Sequence, residues 1–188
     1  MEEKLKQNPS NCIKIVLFGP ESTGKSTLAK QLADHYNTIW VPEYSRLYAE
    51  ERHKQGQKLS AKDVMPIAYG QMKLENDLVH KVDKLLVCDT DLLETKVYAK
   101  SYYPDNQYKW LDKYAKENTY HLYFLTYIDL PWEEDGIRDK PHQREKMFQA
   151  FQKALKDYQK PHVLLKGNQA QRLDLAIKHI DELLTEHQ

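Results

Sequence analysis

Gly19-Pro20-Glu21-Ser22-Thr23-Gly24-Lys25-Ser26 fixes the architecture of this chain. The segment fits G-x-x-x-x-G-K-[ST], the Walker A pattern of phosphate-binding loops. Its flanks are those the pattern requires. Upstream, Cys12-Ile-Lys-Ile-Val-Leu-Phe18 is an apolar, β-branched run that predicts a buried strand. Downstream, Leu28, Ala29, Leu32 and Ala33 recur at helical spacing and predict a helix over residues 25–36. Glycines let a backbone wrap a phosphate so that successive N–H groups point inward, and the following helix adds its positive end. Lys25 can then reach the β- and γ-phosphates of ATP, and the Ser26 hydroxyl is a hard oxygen donor suited to Mg²⁺. Gly19, Glu21, Ser22, Thr23, Gly24 and Thr27 complete the expected ATP contacts. The loop predicts a bound nucleoside triphosphate, while motors, switches and small-molecule kinases all share it.

Outward from the loop, strands and helices alternate. Short strands are predicted at residues 39–42, 84–89, 121–128 and 162–165. Helices are predicted at 44–55, from Ser60 to about His80, at 91–102, at 106–117, from about Met147 to Tyr158, and over the apolar stripe from Leu173 to Leu184. Ser60 and Asp63 sit at capping-box spacing. This alternation predicts an α/β fold, a parallel sheet of five strands covered by helices on both faces. We expect a single P-loop domain over residues 12–188 preceded by a flexible lead-in, 1–11.

Lys+Arg and Asp+Glu both total 28 among 188 residues, so the formal net charge is zero. A whole-molecule positive field for nucleic acid is thereby excluded. No apolar run approaches the roughly 20 residues needed to span a bilayer, and residues 1–11 carry no apolar signal core. With only Cys12 and Cys88, a disulfide framework is not expected. The reading is a cytoplasmic chain with no membrane and no nucleic-acid partner. The scattered histidines show no metal-ligand spacing.

Ligands of open α/β sheets gather at the carboxyl ends of the strands. Glu43 follows the second predicted strand, Asp89 ends the third, and Asp91 lies just beyond. Asp89 is the candidate Mg²⁺ carboxylate, although Asp89 and Asp91 also suit a helix cap. Glu43 is the candidate to accept or orient an acceptor hydroxyl proton. Asp135-Gly136-Ile137-Arg138-Asp139-Lys140, followed by Arg144, forms a charged, turn-rich segment, and residues 131–145 are expected to act as a lid. Its arginines would cover the transferring phosphate.

These segments together resemble the ribosylnicotinamide kinase domain of the NadR-type NAD-biosynthesis proteins. The resemblance is carried by Gly19–Ser26, Glu43-Tyr44-Ser45-Arg46, Asp63 to Gly70-Gln71, Asp89-Thr90-Asp91, Thr95, and Trp132-Glu-Glu-Asp135-Gly136-Ile137-Arg138. It implies an ATP- and Mg²⁺-dependent kinase acting on the 5′-hydroxyl of nicotinamide riboside, with strand order 2-3-1-4-5. It also implies that Glu43, Tyr44, Arg46, Gln71, Asp89, Asp91 and Trp132 contact the nucleoside, and that Lys25, Glu43, Asp89 and Arg138 act in catalysis; Trp40, beside Glu43 in sequence, is a further candidate for the nucleoside. Arg138 and Arg144 would also touch ATP. No H-x-G-H adenylyl-transfer motif occurs, so the chain is expected to carry the kinase part alone. Three positions depart from the family. Its two ring-stacking aromatics fall on Pro42 and Leu74, and the Gly of its Glu-Tyr-Gly-Arg segment is Ser45. Two other readings stay open: a P-loop kinase for another nucleoside, and a nucleotide-sensing ATP-binding module.

Overall fold

The computed structural model describes residues 2–133 and 141–187. Its sheet holds β1 (Ile13–Phe18), β2 (Ile39–Val41), β3 (Leu85–Asp89), β4 (Leu122–Thr126) and β5 (His162–Leu165). All pairs are parallel, in the order β2-β3-β1-β4-β5, as the sequence reading expects. The helices are α1 (Lys25–His35), α2 (Tyr44–Lys54), α3 (Val64–Leu78), α4 (Leu92–Tyr102), α5 (Lys109–Glu117), α6 (Arg144–Asp157) and α7 (Gln169–Glu186).

The central strand reads as one apolar run because both faces of the sheet are covered. Ile13, Ile15 and Leu17 point to one side, against Leu28 and Leu32 of α1 and Ala176 and Ile180 of α7. Val16 and Phe18 point to the other, among side chains of α3, α4, α5 and α6. Period-2 alternation thus divides one strand between two cores. It also leaves the carboxyl ends of β1, β2 and β3 side by side, with Val16 opposite Cys88 and Cys88 opposite Val41.

Ser60 and Asp63 form the expected capping box. A short 3₁₀ turn, Ala61–Asp63, intervenes before α3 begins. Asp63 also accepts from Tyr48 Oη at 2.8 Å and Arg52 Nη2 at 3.0 Å, which ties the end of α2 to the start of α3.

Residues 2–8 differ from the flexible lead-in expected of them. Leu5 is fully buried, and its carbonyl accepts from Asn118 Nδ2 at 3.1 Å. Gln7 donates to Glu75 Oε1 at 2.7 Å and accepts from the Thr119 N–H at 2.9 Å. A polar-looking segment docks here because one leucine is buried and its amides meet amides of α3 and of the α5–β4 turn.

Gly70 on α3 gives α2 its close approach. A Cβ built there would lie 1.9 Å from Cε1 of Tyr44. Gly70→Ala should therefore push the two helices apart at a cost of about 1–3 kcal/mol. The expected melting-temperature drop is roughly 3–10 °C, and an unchanged melting temperature would contradict this packing account.

Candidate active site

A cleft of about 1050 Å³ opens where the carboxyl ends of β1, β2 and β3 meet the starts of α1, α2 and α4. The P-loop forms its floor. Gly19 has φ 146°, and a Cβ there would sit 2.5 Å from Thr126 Oγ1, so only glycine lets the loop leave β1 so close to β4. Thr23 Oγ1 lies 2.8 Å from the Pro20 carbonyl and 2.7 Å from Thr126 Oγ1, which fixes the turn from within. Gly24 caps α1 with no side-chain partner for the first N–H groups. Those donors and the helix dipole make the loop a ready anion site.

Lys25 is 6% exposed. Its Nζ donates to the carbonyls of Gly19 at 2.8 Å and Pro20 at 3.1 Å, and lies 3.4 Å from Glu94 Oε1. Burial would depress its pKa, but the acids Glu94, Glu43, Asp89 and Glu21 outweigh burial and hold it above the ordinary lysine value. The ammonium is thus kept charged with no phosphate present.

Ser26 Oγ donates to Asp89 Oδ2 at 2.5 Å. Asp89 is fully buried, and its Oδ1 has no hydrogen-bond partner among the described residues. Burial and the negative charge of Glu43 push its pKa up to about 6, against the opposing pull of Lys25 and Ser26. A hydroxyl and a carboxylate with a bare oxygen fit Mg²⁺, which takes one or two protein oxygens and fills the rest of its shell with water and phosphate.

The folded protein holds the Asp89 proton more tightly than the unfolded chain, whose value lies near 4. The stability so contributed is present below about pH 4 and lost as pH rises through about 6. Asp89→Asn should then stabilise the ligand-free protein at about pH 8 by on the order of 1–3 kcal/mol. The gain should shrink towards about pH 4. Melting curves at both pH values check this, and a variant no more stable than wild type at the higher pH would contradict it.

Glu43 caps α2 through its extended backbone, and Ser45 Oγ donates to its Oε1 at 2.6 Å. Gln71 holds this turn in place: its Oε1 accepts from the Tyr44 N–H at 2.8 Å, and its Nε2 donates to the Pro42 carbonyl at 3.3 Å. Glu43, Gln71, Trp40 and Arg46 all line the cleft, together with Asp89 and the loop residues Glu21 to Thr27.

Other expected residues do not face it. Asp91 is buried as the N-cap of α4: Oδ1 accepts from the Glu94 N–H at 3.0 Å and Oδ2 from Tyr123 Oη at 2.7 Å. Both oxygens are satisfied inside the protein, so the capping role prevails over a substrate contact. Tyr44 lies against Gly70 rather than in the cleft. Gly19 sits behind the wall, its N–H 3.4 Å from Glu94 Oε2. Arg144 donates to the carbonyls of Leu130 at 2.9 Å and Ser22 at 3.2 Å, with Trp132 5.8 Å away on its face. It grips the loop from outside the cleft, and Trp132 is its packing partner. Arg138 lies outside the described residues, as does the whole stretch 134–140 of the expected lid. Among the described residues no cluster of three or more His, Cys, Asp or Glu forms a metal site.

Three residues join the site without having been expected there. Glu94, 2% exposed, pairs with Lys25 from the first turn of α4. Thr90 holds φ 85°, strained for a β-branched residue, with its Oγ1 buried at the cleft wall and without a hydrogen-bond partner among the described residues. Arg172 of α7 is buried and donates to the carbonyls of Thr23 at 2.7 Å, Tyr127 at 2.9 Å and Gly167 at 2.9 Å, besides pairing with Asp129. It pins the P-loop to the β4 and β5 ends.

Sheet order, loop and flanking helices define a P-loop kinase fold. The chain belongs to the AAA_28 family, described as an AAA domain, which matches residues 14–172. Over 126 residues, 66% of this chain, it is 30% identical to the trifunctional NAD biosynthesis/regulator protein NadR of Salmonella typhimurium, and equally to that of Escherichia coli. The match spans only 30% of the length of those relatives. The fold is similar to a NadR protein solved in complex with NR, with a TM-score of 0.73, 23% identity, and coverage of 91% of this chain and 51% of that one. A NadR protein in complex with NAD and AMP-PNP gives 0.72 at 22% identity, covering 91% and 49%. Thymidylate kinase from Candida albicans gives 0.64 at 16% identity, covering 96% of each chain. Among the described residues no helix is long and apolar enough to cross a membrane.

Proposed function

We propose that the chain is an ATP-dependent phosphotransferase that phosphorylates the 5′-hydroxyl of nicotinamide riboside, giving nicotinamide mononucleotide. The observation that carries this reading is the placement of Glu43 on the same cleft as Lys25 and the Ser26–Asp89 pair. Glu43 is near enough to raise the pKa of both Lys25 and Asp89. A triphosphate seated on the loop would present its terminal phosphorus between the lysine and that carboxylate. Glu43 would orient the acceptor hydroxyl and take its proton, held by Ser45 for the task. Lys25 and the loop N–H groups would stabilise charge on the transferring group. Ser26 and Asp89 would hold Mg²⁺, which neutralises phosphate charge when bound. Alignment and charge stabilisation are the main sources of rate in such a site. The relatives' role in NAD biosynthesis supports the choice of nicotinamide riboside.

A second acceptor class is favoured by one observation. Where the family stacks aromatics on the substrate ring, Leu74 is packed against the core and Pro42 lines the cleft. The aromatic surface at this cleft comes instead from Trp40 and from Tyr98, Tyr102 and Tyr103 of α4 and its end. Other nucleosides could use those faces. A panel of kcat/KM values over nicotinamide riboside, adenosine, thymidine and cytidine separates the two. Preference for nicotinamide riboside supports the first reading. A preference for another member reassigns the acceptor, and no response to any nucleoside rejects the kinase.

A further inference from the structure

We propose that Glu94 is a built-in counter-charge for Lys25 that an incoming triphosphate must displace, and that it thereby sets the strength of nucleotide binding. The inference rests on the reading that the loop binds a triphosphate. Glu94 is 2% exposed, projects from the first turn of α4 and lines the cleft. Its Oε1 lies 3.4 Å from Lys25 Nζ and has no hydrogen-bond partner among the described residues. Its Oε2 receives a long 3.4 Å contact from the Gly19 N–H. A buried carboxylate with so few partners among the described residues leans chiefly on the ammonium. That ammonium is in turn folded back onto the loop's own carbonyls, those of Gly19 and Pro20. The lysine is therefore spoken for at both ends before any nucleotide arrives.

The β- and γ-phosphates need that ammonium. Binding them means drawing Lys25 off its carbonyls and placing phosphate charge close to the Glu94 carboxylate. Both costs reduce the observed affinity, as any unpopulated binding-competent state does. Both grow with the number of phosphates beyond the α position. Neither touches the α-phosphate, which the loop N–H groups hold without the lysine. Glu94 is a positioning residue in this account, acting through Lys25.

Calorimetric titration of the full chain with ATP and with AMP tests this, in wild type and Glu94→Gln. The glutamine keeps the shape and removes the charge. ATP should bind the variant about fivefold or more tightly, while AMP affinity changes by less than about twofold. A merely structural role would move both nucleotides together. An unchanged ATP affinity, or an equal shift for ATP and AMP, overturns the inference and leaves the kinase reading intact. A wild-type protein that binds no ATP overturns both. If Glu94→Gln does not fold, Glu94→Asp takes its place: the shorter arm should tighten ATP by about twofold or more with AMP unmoved, and equal behaviour of the two nucleotides again overturns the proposal.

Discussion

Lys25→Met should lower nucleoside phosphorylation by about a thousandfold, comparable to removing one preorganised donor at a developing oxyanion. The thioether fills the same buried slot but offers nothing to phosphate. The change also removes the counter-charge of Glu94, which lies 3.4 Å from the ammonium. With the ammonium gone, the burial that pushes the Glu94 pKa up is no longer opposed by Lys25, so that carboxyl takes up a proton rather than remaining as a bare charge in the interior. The fold should survive for that reason, and a melting curve beside the rate assay separates lost chemistry from lost structure. A folded Lys25→Met protein with wild-type turnover would contradict the placement of the triphosphate on this loop.

Glu43→Gln should lower kcat by about a hundredfold or more, with ATP affinity within about threefold of wild type. The amide keeps the hydrogen bond from Ser45, now 2.6 Å to the carboxylate, and keeps the backbone cap of α2. It cannot accept the acceptor's proton. Removing the charge also relieves Asp89, whose pKa Glu43 helps to raise, so any change in ATP binding should be a modest tightening. Equal losses in kcat and ATP affinity would mark Glu43 as a structural residue of the β2–α2 turn.

Much of the fold was readable because its signals are local. The strand–loop–helix around Gly19–Ser26, the capping box of Ser60 and Asp63, and the strand 162–165 each depend on neighbours within a few residues. The parallel order follows from the alternation together with the family resemblance. The candidate site was only half readable, because its remaining parts are long-range. Glu94 sits in Leu92-Leu93-Glu94-Thr95, where an acid in a first helical turn is unremarkable, and its partner lies on α1. Arg172 falls on a helix whose pattern suggests an ordinary charged face, yet three of its acceptors belong to the P-loop and to the β4 and β5 ends. Asp91 had two readings at the sequence level, substrate acid and helix cap. Tyr123, far along the chain, decides for the cap by taking the second oxygen. The packing of residues 2–8 turns on a single leucine, too short a signal to distinguish from a solvated tail.

In the proposed function the terminal phosphoryl group passes to a bound alcohol rather than to water. Phosphorus NMR of wild-type protein with ATP, Mg²⁺ and nicotinamide riboside tests this directly, since the phosphomonoester and inorganic phosphate resolve in one spectrum. We expect nicotinamide mononucleotide to form mole for mole with ADP, with free phosphate at background. ADP appearing with inorganic phosphate at the same rate whether or not a nucleoside is present would contradict it.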